Sequence, residues 1–153
     1  MSGGARLDEA AVSALQDVLA TEHAALWSYS LAVAFLPPDQ VAAARTDTTA
    51  HRTLRAAVEV TLTQVGQRPV SAQPAYTTPQ PVIDAKSAAG LLMTAETDAA
   101  AAWRSLLERG ADRALRRAGL DALTDTAARC ARWRGVVGAV PAVPVFPGRP
   151  ERP

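Results

Sequence analysis

Apolar positions recur along four segments of the chain at alternating spacings of three and four residues, with polar residues filling the gaps. The first segment, about residues 8–36, carries Val12, Leu15, Leu19, Glu22, Leu26, Tyr29 and Val33 on one stripe. That spacing keeps one face of a 3.6-residue helix turned inward, as in the seam of a helical bundle. Pro37 and Pro38 stop this helix, and Asp39 is placed to cap the next. The second segment, about 40–65, aligns Ala44, Thr48, His51, Leu54 or Arg55, Val58, Leu62 and Val65, and Gly66 is placed to end it. The third, about 85–109, follows the capping residue Asp84 and aligns Ala85, Ala89, Leu92, Glu96, Ala99, Trp103 and Leu106. The fourth, about 112–137, is best fitted by Leu120, Leu123, Ala127, Cys130 and Val137. Gly119 weakens it by about 1 kcal/mol relative to alanine, so the pattern allows a break before Asp121.

No segment shows the two-residue alternation of a strand, and no repeat divides the chain. Between the second and third helices, residues 66–84 carry Pro69, Pro74, Pro79 and Pro81 among Ser, Thr and Gln. A connector of this length suits a crossover running the full height of a bundle. The pattern therefore predicts an all-α four-helix bundle over residues 1–138, built as two helical hairpins joined by a long Pro-rich crossover. Residues 139–153, AVPAVPVFPGRPERP, are too rich in proline to be helical. They predict an extended tail, with Val143, Val145 and Phe146 lying on the bundle.

Composition sharpens this picture at three points. The chain holds 34 alanines and is only 5% aromatic, so its helices pack at close range instead of around large rings. Sixteen basic and fifteen acidic residues give a net charge of +1, which removes the electrostatic case for nucleic acid or an anionic membrane as partner. Fifteen of the basic residues are Arg, a skew that GC-rich bacterial genomes write. The single cysteine, Cys130, excludes an intrachain disulfide. Met1 to Leu7 lack the apolar core of a signal peptide, and the expected compartment is the cytoplasm.

Three polar residues interrupt the apolar stripes. Glu22 and Glu96 stand midway along the first and third helices, and His51 lies on the stripe of the second. A buried carboxylate needs a partner, because an isolated one costs several kcal/mol. Helix 1 reverses near residue 37, so Glu22 faces residue 52, next to His51; helix 3 reverses near residue 110, so Glu96 faces residue 124, close to Asp125 and Ala127. The three residues converge at one height if the hairpins stack level.

With a Glu on helix 1, a His on helix 2, a crossover and a Glu on helix 3, the chain resembles the ferritin-like superfamily. The stretches TEHAALWSY, HRTLR and AARCARWR resemble more closely an uncharacterised bacterial ferritin-like family of unknown function. The resemblance implies a di-iron pattern with a Glu-x-x-His on each of helices 2 and 4. Glu22, His51 and Glu96 match it, whereas Thr48, Ala127 and Cys130 stand at the remaining ligand positions. Asp47 and Asp125 are the candidate auxiliary ligands.

Two functional readings follow. The favoured one is a non-catalytic module with a degenerate di-metal site, its Glu22, His51 and Glu96 closed into a polar network by Arg52 or Arg55. It would act through self-association or a protein partner, without a cofactor. The alternative is an iron- or manganese-binding oxidoreductase or metal-handling protein using Glu22, His51 and Glu96. The other singular residues read as structural. His23 is a boundary histidine, and Tyr29 is a core residue whose hydroxyl bonds a neighbouring helix. Trp27, Trp103 and Trp133 are packing residues, and Cys130 is a small buried hydrophobe. The arginines at 113, 116 and 117, with Arg129, Arg132 and Arg134, read as a solvated basic face of helix 4.

Overall fold

The computed structural model describes residues 7–150. Residues 1–6, most of the segment read as lacking a signal peptide, and the last three residues of the tail lie outside the described residues. Four helices form: α1 (Glu9–Ala32), α2 (Pro38–Gln64), α3 (Ala85–Arg109) and α4 (Arg113–Val137). No helix among the described residues is long and apolar enough to cross a membrane.

Each helix begins where its local chemistry dictates. Asp8, Asp84 and Asp112 accept a hydrogen bond from the backbone N–H three residues on, and at α3 Ser87 completes a capping box with Asp84. Asp39 does not cap α2. Pro37 is the N-cap and Pro38 takes the first helical position, where its missing N–H costs nothing. Asp39 falls in the first turn and complements the helix dipole there. α1 ends at Ala32, four residues short of the expected boundary, in a turn leading to the two prolines. α4 runs unbroken through Gly119, where an added Cβ would press on Leu107 of α3. Gly138, with φ 76°, ends it in the left-handed conformation that glycine adopts without steric cost.

α3 is the central element, packing against α1 on one side and α4 on the other, while α2 packs on α1. The core is divided. One apolar cluster joins Leu15, Val18, Leu19, Val58, Leu62, Trp103 and Leu106. The other joins Tyr29, Ala32, Ala44, Ala88, Ala89, Leu92 and Trp133. The polar residues of the stripes fill the layer between them.

The crossover is clipped to α1 along its length. Gln16 grips it twice, donating to Arg68 O and accepting from Val70 N–H. His23 is buried and donates through Nε2 to Val70 O at 3.1 Å, and Trp27 stacks at a tilt on Tyr76. The segment after α4 lies across α3 and α4, but not by the residues expected. Val143, Val145 and Phe146 are exposed; the anchors are Gly148, packed on the Ala100 backbone, and Arg134, which donates to Pro141 O. Gly148 has φ 75°, and a Cβ there would collide with the carbonyl oxygen of Ala100. A Gly148→Ala variant should therefore release the strap at a cost of about 1–2 kcal/mol. Faster proteolysis of the tail with the bundle intact would show it; unchanged cleavage would mean that Gly148 is not an anchor.

Candidate metal centre

Glu22, His51 and Glu96 meet in the layer between the two apolar clusters, and all three are fully buried. The imidazole of His51 bridges the carboxylates, with Nδ1 2.6 Å from Glu22 Oε2 and Nε2 2.9 Å from Glu96 Oε1. Ionised carboxylates only accept, so both ring nitrogens donate and the ring is an imidazolium. Burial by itself would lower the His51 pKa, but the hydrogen bonds to Glu22 and Glu96 outweigh it and raise it to about 9. For Glu96 burial pushes the other way from its partners: His51, Arg129 and Tyr29 together hold it below the usual glutamate value.

The remaining members come from every helix. From α1, Tyr29 donates its hydroxyl to Glu96 Oε1 at 2.6 Å and lies 3.0 Å from Asp47 Oδ2. Burial first, then the charges of Glu96 and Asp47, push its phenol far above the ordinary range, so it stays a neutral donor. Asp47, four residues before His51 on α2, is buried. It accepts two bonds from Arg132 Nη2, at 2.6 and 2.7 Å, and one from the Trp133 indole at 3.0 Å. Trp133 also donates to the Tyr29 hydroxyl oxygen, Oη, at 2.9 Å. On α3, the Trp103 indole donates to Glu22 Oε1 at 2.8 Å. Both tryptophans thus place their rings in an apolar cluster and their N–H in the polar layer.

α4 faces the layer with Thr126 and Arg129, three residues apart. Arg129 Nε stands 3.1 Å from both oxygens of Glu96, and its Nη2 donates to Thr126 Oγ1 at 2.9 Å. Three carboxylates (Glu22, Asp47, Glu96) therefore oppose three cations (His51, Arg129, Arg132), and the formal charge of the layer is zero. Arg132, with a side chain 43% exposed, is the most exposed charged member of the layer.

Several expectations are corrected by this arrangement. The buried stripe of α4 is Gly119, Ala122, Thr126, Arg129 and Trp133, one position away from the stripe read through Leu120 and Ala127; Leu120 is 50% exposed. Ala127 is half-buried, and Cys130, although buried, lines a groove beneath the C-terminal strap. Asp125 is exposed, one residue and about 100° of helix from Thr126, so it does not reach Glu96. Arg52 is exposed and Arg55 stands 3.9 Å from Glu59, so neither closes the network. Arg129 and Arg134 are buried members of the interior and its straps instead of a solvated face, whereas Arg132 stays partly exposed while its guanidinium bonds Asp47. Thr48 is half-buried and bonds back to Ala44 O. The signal for the correct phase of α4 was Trp133, its largest apolar residue and the one that most needs burial.

Comparison with known proteins agrees with the architecture. A conserved hypothetical protein, rv2844, from Mycobacterium tuberculosis superposes with a TM-score of 0.81 at 35% identity, over 90% of this chain and 97% of that one. A ferritin-like, diiron-carboxylate protein from Bacillus anthracis str. Ames superposes with a TM-score of 0.73 at 12% identity, over 90% and 99% of the two chains, which shows the shared fold. Among curated proteins none matches the chain. The family described as domain of unknown function DUF4439 matches residues 14–151. The chain is a ferritin-like four-helix bundle and belongs to the DUF4439 family.

Proposed function

We propose that the protein is a non-catalytic ferritin-like module that acts through protein contacts, with internal ion pairs where the fold can hold a di-metal centre. One observation carries the reading: the Arg129 guanidinium lies against both oxygens of Glu96, opposite His51. The residues do not fit a di-metal centre. Thr126 and Arg129 occupy the two α4 positions that face Glu96, and neither supplies an anionic or imidazole donor. Metal ligation by histidine needs a nitrogen lone pair, and both nitrogens of His51 carry protons held by carboxylates. The layer is already neutral, so a divalent ion would bring two uncompensated charges into it.

A second reading keeps one point in its favour. Asp47 is buried in the same layer as Glu22, His51 and Glu96 and is joined to Glu96 through the Tyr29 hydroxyl, although among the described residues no three His, Cys, Asp or Glu side chains are grouped to hold a metal ion. Using them in a reduced iron or manganese site requires His51 to lose a proton and Arg129 and Arg132 to withdraw. Anaerobic loading with Fe(II) and with Mn(II), followed by elemental analysis and oxygen exposure, separates the two. The expected result is no stoichiometric metal and no oxygen consumption. Retained metal with an optical change on oxygenation would establish the second reading instead.

A further inference from the structure

The C-terminal strap carries its apolar side chains outward. Val140, Val143, Val145 and Phe146 are between 57 and 92% exposed, and no residue from Gly135 to Gly148 has a polar side chain to shield them. Exposed apolar side chains gathered in one short segment, unlike single ones scattered over a surface, mark a contact site.

Their order narrows the partner. Proline recurs at every third position, at 141, 144, 147, 150 and 153; an apolar residue precedes each of the first three and an arginine each of the last two. A polyproline II helix has three residues per turn, so in that conformation the prolines form one edge and Val140, Val143, Phe146 and Arg149 the next. The pairs Val143-Pro144 and Phe146-Pro147, followed by Arg149, have the chemistry to fill two aromatic-lined slots and one acidic pocket. Packing of two copies, or insertion into a lipid surface, needs apolar side chains but neither the three-residue period of prolines nor a cation at a fixed place after it.

The docked strap keeps this ligand folded. Arg149 N–H donates to Phe146 O at 3.1 Å, and the Arg149 guanidinium lies 5.4 Å from the centre of the Phe146 ring. Gly148 makes the turn with φ 75° and rests on the Ala100 backbone, while Arg134 holds the other end at Pro141 O. Resting on the protein-contact function proposed above, we propose that residues 140–150 are the ligand of a partner protein whose groove reads polyproline II, and that docking on α3 withholds them. The partner takes the strap only when the turn at Gly148 opens, so its apparent affinity is reduced by the fraction of chains that are open.

The probe is an isotope-labelled SH3 domain of the class that takes a basic residue two positions after the second proline, titrated with the full chain and followed by NMR. Saturable shifts confined to its aromatic groove and acidic pocket are expected. Gly148→Ala should tighten binding about 5- to 30-fold, the ratio that corresponds to the cost of releasing the strap. In the Gly148→Ala background, Pro144→Ala with Pro147→Ala should weaken binding at least about tenfold, and Arg149→Glu by a similar factor. All these positions lie in the strap, so the helical circular dichroism of the bundle should stay unchanged.

No shift with either wild type or Gly148→Ala overturns the inference and leaves the proposed function standing. Binding that survives the proline or Arg149 substitutions overturns it as well, because the strap is then not read as polyproline II. Gly148→Ala binding no tighter than wild type overturns the withholding. If Gly148→Ala forms dimers in sedimentation equilibrium, or pellets with phosphatidylglycerol vesicles, and loses either property with Val143→Ser and Phe146→Ser, the strap serves a second copy or a lipid surface and the inference fails. Retained metal in the loading experiment, by contrast, overturns the proposed function itself.

Discussion

Replacing Glu96 by alanine is expected to lower the stability of the bundle by about 3–5 kcal/mol, the largest effect of any single substitution in the polar layer. Glu96 accepts from His51, Tyr29 and both contacts of Arg129 Nε, so its loss strands the Arg129 guanidinium and leaves His51 with Glu22 alone, in a layer with little water contact. The penalty is chiefly that of leaving one buried positive charge uncompensated, since two carboxylates then face three cations. A domain of this size has about 5–15 kcal/mol of stability in total, so the variant approaches the limit of folding. The thermal midpoint should fall by roughly 10–15 °C. Urea unfolding followed by circular dichroism measures it. Removing Arg129 as well should cost less than the sum of the two single substitutions, because the pair is coupled. A loss below about 1 kcal/mol for Glu96→Ala would mean that the network is not closed through Glu96.

Stability should also fall steadily as pH rises from about 6.5 to about 9, set by His51. The sign follows from its raised pKa. In the unfolded chain the imidazole titrates at its ordinary value of 6.5, whereas in the bundle it holds its proton up to about 9. Between those values the native state binds one more proton than the unfolded state, so each unit of pH removes about 1.4 kcal/mol. The contribution is complete below pH 6.5 and gone above pH 9; its full size is about 3 kcal/mol. Glu96 supplies the acid limb. Its pKa is depressed, so its contribution is present above the ordinary glutamate value and is lost as pH falls through the folded one. The stability optimum should then lie between the two limbs, at mildly acidic pH. Urea midpoints from pH 4 to 10 trace the curve, and His51→Gln should remove the slope between 6.5 and 9. A wild-type curve flat over that interval would contradict the imidazolium.

Much of this site was legible before any coordinates. Glu22, Glu96 and His51 announced themselves because charged and polar side chains on otherwise apolar stripes demand partners. The level meeting of Glu22 with His51 followed from counting residues back from the turn at Pro37 and Pro38. What escaped was the identity of the partners. Arg129 and Arg132 read as surface residues because arginine is almost always exposed, and in an alanine-rich helix little contrast separates the inward face from the one beside it. Thr126 with Arg129 and Ala127 with Cys130 have the same three-residue spacing, so periodicity alone could not choose between them. Trp133 chooses, since a ring of that size on α4 has to be buried and carries Thr126 and Arg129 inward with it. Asp47 was found only as an auxiliary, because a spacing of four from His51 serves the inner face as well as the three expected of a ligand pair.

The polar layer therefore has a divided origin. The sequence by itself determined four helices, their approximate ends, the crossover between hairpins and the presence of buried charge at mid-height. Each of these is a local property, set by the repeat of apolar residues, by prolines and by capping side chains within a few positions. Only the tertiary structure decided the rotation of α4 and, through it, that the carboxylates are answered by arginines. That choice depends on how four helices fill one interior at once: a turn of about 100° about a single axis exchanges Ala127 for Thr126, and packing density permits only one of them.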